Sequence, residues 1–216
     1  LPSDICNFFG GHIEIQKGAK SVFVQRKVRV LVVDFLVKFA VHIAVNMGEL
    51  TLPEGLTKIV SSAFYDAGIT KLTGPSTLTM LGYDCFRGDG FAGSTLVTVD
   101  FSNCTNLNTL TGSAFYDCHY LKNVTLPEGL KVIGDAAFQN CYSIEEITIP
   151  NSVQTIEVNT FWMFSELYQH ELKKVILGSG LQQIQANAFG ECGNIVEIYS
   201  LNPVHPHWQT MVLRAN

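Results

Sequence analysis

The chain is poor in charge. Only 15% of its 216 residues are Asp, Glu, Lys or Arg, against roughly a quarter in an average domain, so much of its surface must be neutral polar or apolar. Basic charge is scarcest: 14 Lys and Arg stand against 19 Asp and Glu, a formal net charge of -5. That balance argues against a nucleic-acid-binding protein. With 7 Pro, 18 Gly and 47% apolar residues, collagen-like and disordered chains are also excluded. A membrane-spanning run is missing. The longest apolar stretch, Val28 to Met47, carries Arg29, Asp34, Lys38, His42 and Asn46 inside it, and each Asp, Lys or Arg costs about 2.5–3.5 kcal/mol at the bilayer centre. The opening Leu1-Pro2-Ser3-Asp4 has no charged region followed by an apolar one, so no signal peptide is visible. A chain that starts on Leu1 is expected to be a processed or trimmed product.

Catalytic signatures are absent as well. There is no G-x-S-x-G, no G-x-x-x-x-G-K-[ST], no H-E-x-x-H, and no G-x-G-x-x-G between a strand and a helix. The six cysteines contain no Cys-x-x-Cys pair of zinc-site spacing. His205 and His207 lack a third ligand or a nearby carboxylate and read as part of a tail. The expectation is a protein that is not an enzyme and carries neither metal nor cofactor.

What is present is a repeat. A small residue followed by Phe recurs at Ala63-Phe64, Cys85-Phe86, Ala114-Phe115, Ala137-Phe138, Thr160-Phe161 and Ala188-Phe189. The steps between these Phe residues are 22, 29, 23, 23 and 28, so a unit of 23 residues repeats, with two units lengthened. Eight and five residues before each Phe stand aliphatics, from Leu56 and Ile59 to Leu181 and Ile184. After it come a small or sulfur residue (Ala67, Cys118, Cys141, Cys192) and aliphatic triplets such as Leu121, Val124, Leu126 and Ile144, Ile147, Ile149. Such a unit buries its apolar face only by stacking on its neighbours. The Leu-x-x-Ile-x-Ile part predicts one short strand per coil, adding to a parallel sheet. Cys118, Cys141 and Cys192 share an inward position and read as small buried hydrophobes rather than a metal or redox site.

The segment L-P-E-G-L-K-V-I-G-D-A-A-F-Q-N-C-Y-S-I-E-E-I-T-I-P, residues 126–150, resembles the BspA-type leucine-rich repeat, a family of bacterial surface and secreted proteins also found in some parasitic protists. The resemblance covers roughly residues 50–201. It implies an α/β-type solenoid of mostly short parallel strands, wound as a right-handed superhelix of about 23 residues per coil. The expected solenoid spans 30–201 and is followed by a tail or truncated cap at 202–216. Residues 30–52 read as a degenerate first coil with Leu50 and Leu52 inward; a plain strand is the alternative, since the odd positions from Leu31 to Val45 are large and apolar. This extra apolar surface needs a cover. Residues 1–29, with strand candidates at His12–Ile15 and Ser21–Val24, are the expected N-terminal cap, and a homodimer contact is the other option.

Candidate functional positions lie on the outward side of the strands. Down the stack Lys122, Glu145 and Lys173 alternate in sign, and so do Glu146, Lys174 and Glu197, beside Tyr199. This pattern reads either as a self-satisfied charge ladder or as a mixed-charge concave surface for a protein partner. Arg87-Gly88-Asp89, in a Gly-rich insertion at 87–95, is a second candidate, resembling an integrin ligand although Gly and Asp are ordinary turn residues. A polar insertion at 165–171 is a further possible recognition loop. Asn103-Cys104-Thr105 and Asn123-Val124-Thr125 match the glycosylation triplet, which matters only in a eukaryotic secretory pathway. The resemblance implies a non-catalytic protein-binding module at the cell surface or outside the cell, adhering to host or microbial proteins. The rival is a spacer segment of a larger surface protein with no ligand of its own. A glycan-binding module would need aligned exposed aromatics; Tyr199 stands alone on the strands, while Trp162 and Phe164 offer a local patch.

Overall fold

The structure, a computed structural model, describes residues 48–88, 95–164 and 169–202 and the strands at 8–9, 12–13, 21–24 and 28–31. Most of the expected first coil, the expected C-terminal tail with His205 and His207, and part of each insertion lie outside the described residues.

The described chain is a parallel β-solenoid of about six turns. The outward-alternating segments form the first strand column: β1 at Gly48–Thr51, β2 at Ile69–Thr73, β3 at Thr98–Asp100, β4 at Asn123–Thr125, β5 at Glu146–Thr148, β6 at Lys174–Leu177 and β7 at Glu197–Ser200. Sequence patterning predicts one strand per coil, but each coil has two. A second column of two-residue strands comprises Lys58–Ile59, Met80–Leu81, Thr109–Leu110, Val132–Ile133, Thr155–Ile156 and Gln183–Ile184. Each of these ends on the aliphatic five residues before Phe. A two-residue strand is too short to show the alternation by which strands are read in sequence. The α/β label also needs adjustment. Among the described residues there is no helix; the far corner of each coil is built from tight turns, as in Ala63 N to Val60 O (3.2 Å) and Ala67 N to Phe64 O (3.3 Å).

Both columns are interrupted once. The second breaks between Met80–Leu81 and Thr109–Leu110, across the lengthened 29-residue step. There Asn106 Nδ2 donates to Ser76 O (2.8 Å) and Thr111 Oγ1 to Gly82 O (3.1 Å), bridging the coils by side chains. The first column divides between β4 and β5, and Val124 beside this division is only half-buried while its counterparts Val99 and Ile147 are fully buried.

The core is a set of columns. Phe64, Phe86, Phe115, Phe138, Phe161 and Phe189 stack ring on ring, with centroids 5.2, 5.5, 5.4, 5.3 and 5.0 Å apart and planes within 8° of parallel. The residue before each Phe is small and, like the ring itself, buried in the core. Thr160 fits there by satisfying its hydroxyl on Gly134 O (3.2 Å) and Glu157 O (2.8 Å). The thiols of Cys118, Cys141 and Cys192 donate to the carbonyls of Phe86 (3.1 Å), Phe115 (3.2 Å) and Phe161 (3.0 Å), each one coil earlier. These cysteines are packing residues, with Cys85 and Cys104 also buried and reduced.

At the N-terminal side, strands at Ser21–Val24 and Val28–Leu31 form an antiparallel hairpin. Its first strand also pairs antiparallel with β1 through Val24 and Leu50. A separate pair joins Phe8–Phe9 to His12–Ile13.

Two measurements check this core. Phe138→Ala removes one ring from the middle of the stack and is expected to cost about 3–5 kcal/mol in denaturant unfolding. A loss below about 1 kcal/mol would mean that the column does not hold adjacent coils together. Burial also pushes the Cys104 and Cys192 thiols up to about 12, and holds those of Cys85 and Cys141 well above their usual range. Since the thiolate is the reactive form, these cysteines should resist an aromatic disulfide reagent at pH 8 in the folded protein and react quickly once it is unfolded.

Candidate binding face

Strand alternation decides which side chains reach this face. In β5 and β6 the middle residues Ile147 and Val175 point into the core, so Glu146, Thr148, Lys174 and Ile176 point outward. Parallel pairing places Glu146 beside Lys174 and Lys174 beside Glu197, and it aligns Thr148, Ile176 and Tyr199. The sign alternation expected from the repeat is therefore a real lateral contact. Lys174 Nζ lies 2.9 Å from Glu146 Oε2 and 5.9 Å from the centre of the Tyr199 ring, and the Tyr199 hydroxyl donates to Glu197 Oε2 (3.2 Å). Glu146, Lys174, Glu197 and Tyr199 form one connected group over three strands, with Tyr199 51% exposed.

The second set is arranged differently from a simple ladder. Lys122 Nζ pairs with Glu145, across the division between β4 and β5. Lys173 Nζ instead reaches Glu171 Oε2 at 3.0 Å. Glu171 lies in the second insertion and has no counterpart in the repeat, so register gave no signal for it. Near the other end Glu49 and Lys71 make a looser pair at 3.8 Å. Hydrogen bonding from Lys122 lowers the Glu145 carboxyl below its usual range, and the Lys122 and Lys174 ammonium groups are raised by Glu145 and Glu146. These shifts keep Glu145, Lys122 and Lys174 in their charged forms at neutral pH.

Arg87 and Gly88 are elsewhere, at the turn after Phe86. The Arg87 guanidinium lies 4.4 Å from the Tyr116 ring centre and 5.9 Å from that of Tyr65, with Asp84 at 3.5 Å and Asp117 at 3.9 Å. Gly88 is buried and its N–H donates to Tyr116 O (2.9 Å). These two residues are built into the coil, and Asp89 lies outside the described residues. Beside them is a cavity of about 20 Å³, lined by Phe64, Asp66, Phe86, Arg87 and Thr95 among others, which has room for a water molecule. Among the described residues, no three His, Cys, Asp or Glu side chains are placed to hold a metal ion. Among the described residues there is no helix long and apolar enough to cross a membrane.

Stacked coils, an aliphatic and phenylalanine core and an outward polar strand face define a leucine-rich-repeat solenoid. The chain belongs to the BspA-type leucine-rich-repeat family, whose six-copy repeat-region model matches residues 39–91 and 89–205. The match begins upstream of the clear repeats, inside the segment read as a degenerate coil. Among solved structures the chain is similar to a leucine-rich-repeat protein of T. pallidum, with 27% identity, TM-score 0.60, and coverage of 72% of this chain and 70% of that one. It shares its fold with a leucine-rich cell-surface protein of Faecalibacterium prausnitzii at 21% identity and TM-score 0.52; 71% of this chain spans 47% of that protein. No curated protein matches the chain.

Because these ion pairs are exposed, water and salt compete with them. Lys174→Ala and Glu146→Ala are each expected to leave the thermal midpoint essentially unchanged, as is raising the salt concentration to about 1 M. A marked drop in either variant would assign the group a structural role.

Proposed function

We propose that the chain is a non-catalytic protein-binding module of a bacterial cell-surface or secreted protein, adhering to a host or microbial protein through the outward strand face. The observation that carries this reading is the connected Glu146, Lys174, Glu197 and Tyr199 group. It combines an aromatic anchor with charges of both signs on adjacent hydrogen-bonded strands, so little side-chain or backbone order has to be gained on binding. Lys122, Glu145 and Lys173 extend the same face. Family membership supports a surface or secreted location. Within this reading, residues 1–29 act as the N-terminal cap: the hairpin at Ser21–Val24 and Val28–Leu31 pairs along β1 and protects an edge that would otherwise recruit other strands.

The spacer reading draws on a different observation. Each of the seven face residues except Tyr199 is a charge already paired or bonded within the chain, and a self-satisfied ladder needs no ligand.

Surface-immobilised binding to extracellular-matrix, serum and microbial surface proteins at physiological salt separates the two. Saturable binding is expected, and it should be lost in Lys173→Glu/Lys174→Glu and kept in Asp89→Ala. Loss with Asp89→Ala alone would move the site to the insertion. No saturable binding to any panel member would leave the spacer reading standing.

A further inference from the structure

The division of the first strand column is one-sided. The ladders that flank it are closed at both ends. Between β3 and β4, Asn123 N donates to Val97 O (3.0 Å) and Phe101 N to Thr125 O (2.9 Å). Between β5 and β6, Lys174 N donates to Glu145 O (3.3 Å) and Ile149 N to Ile176 O (2.8 Å). The same register would give Glu146 N to Lys122 O and Leu126 N to Thr148 O between β4 and β5, and neither bond is made. In a parallel ladder alternate residues turn their N–H and C=O to opposite neighbours. Asn123 and Thr125 are committed to β3, and Glu145 and Ile149 to β6. The backbone groups of Val124, Glu146 and Thr148 are therefore directed into the seam, where the half-buried Val124 marks the gap in packing.

Behind the seam the same two coils are held firmly. The second column runs unbroken from Thr109–Leu110 to Gln183–Ile184. Phe115 and Phe138 stack at 5.4 Å, and Ser113 N and Phe115 N donate to Asp135 O (2.8 Å) and Ala137 O (2.9 Å). Side chains add Cys141 Sγ to Phe115 O (3.2 Å), Asn140 Nδ2 to Asp117 Oδ1 (2.8 Å) and Ser143 Oγ to His119 O (2.8 Å). Across the open side stands the Lys122–Glu145 ion pair, with about half of each side chain exposed.

We infer that the seam between β4 and β5 is a joint in the strand face: the half carried by β1 to β4 tilts against the half carried by β5 to β7 about the Phe115–Phe138 corner, and the Lys122–Glu145 pair is its latch. Opening breaks no ladder bond at the seam, since none is made there. It is opposed by the contacts of Val124 and by an exposed ion pair, which salt weakens. The two halves differ in character. Thr98 and Asn123 lie on the near side, and the connected Glu146, Lys174, Glu197 and Tyr199 group on the far side. A tilt changes the curvature between them while leaving the connected group intact. This motion is a property of the chain itself and does not depend on the face having a ligand.

Two measurements on the full chain test the joint. In native-state hydrogen exchange, the amides of Val124, Glu146 and Thr148 are expected to exchange at least tenfold faster than those of Asn123, Thr125 and Ile147 in the flanking ladders. Equal protection of the two sets would overturn the inference, and this arm needs no substitution. The second arm uses spin-label distance distributions, because the buried native cysteines leave introduced exposed ones free for selective labelling. Thr73→Cys/Thr148→Cys spans three coil steps across the seam on the strand face, and Thr109→Cys/Gln183→Cys spans three steps behind it. The face pair should give the broader distribution, shifting to longer distance in about 1 M salt and in Lys122→Ala, while the rear pair stays narrow and unmoved. A face pair as narrow as the rear pair and insensitive to both changes would overturn the joint. Equal broadening of both pairs would overturn it too, since the whole solenoid would then be loose.

Discussion

One distance governs this molecule: each coil must return the chain to the same place about 5 Å further along. Paired strands set it near 4.8 Å through their backbone hydrogen bonds. The phenylalanine stack sets 5.0 to 5.5 Å at the opposite corner, within the range that favours aromatic rings. The two agree well enough for both edges of the coil to close on the same repeat. In the two units longer than 23 residues, the extra residues fall in the same part of the repeat, after Phe86 and after Phe161, between the aromatic corner and the next outward strand.

The corner is tight enough to force an unusual backbone. Two residues before each Phe, the chain takes positive φ in all six coils: Ser62, Asp84, Ser113, Ala136, Asn159 and Asn187, between 54° and 56°. Two residues after Phe, Asp66, Asp117, Asn140 and Glu191 do the same. Asn and Asp tolerate this left-handed region better than other side chains do. Ala136 does not, and it carries a strain of roughly 1–2 kcal/mol. The strain persists because backbone bonds on both sides hold the turn, Ala136 N to Val158 O (3.0 Å) and Ala137 N to Gly134 O (3.2 Å). Short polar residues at these columns are thus demanded by turn geometry, before any role in binding.

That constraint explains which parts of the molecule were legible in its sequence. Inward positions recur with the coil, so aligning on Phe was enough to place Leu56, Ile59, Leu130, Ile133, Ile147 and Val175 in the core, and all of them are buried. The departures at Ile184 and Ile198, only partly buried, fall in the last described coils, which no further described coil covers. The second strand column was not legible, because two residues give no period. On the outward face, register correctly set Glu146, Lys174 and Glu197 side by side. It failed for Lys173, whose long side chain turns to Glu171 in an insertion outside the repeat. Arg87 shows the same limit: as a tripeptide it reads as exposed, but the coils on either side supply Tyr65 and Tyr116 and hold it between them.

Internal pairing of the face charges does not decide against a ligand. An exposed ion pair is weak because water already satisfies most of what each partner offers, and a protein partner can replace one member at little cost. A lattice of opposite charges on a rigid sheet then serves selection more than affinity. A complementary partner exchanges the internal pairs for its own, whereas a mismatched one leaves charges stranded and is rejected. Affinity must come from desolvating an apolar anchor, and in this set Tyr199 is the residue able to supply it. It stands on β7, the last described strand, with Val196 at 75% and Leu201 at 54% exposure on either side. Strand-face recognition is therefore expected to be strongest toward the C-terminal coils, where aromatic, aliphatic and charged groups meet, and weakest around Thr98 and Asn123, where the same column is uncharged.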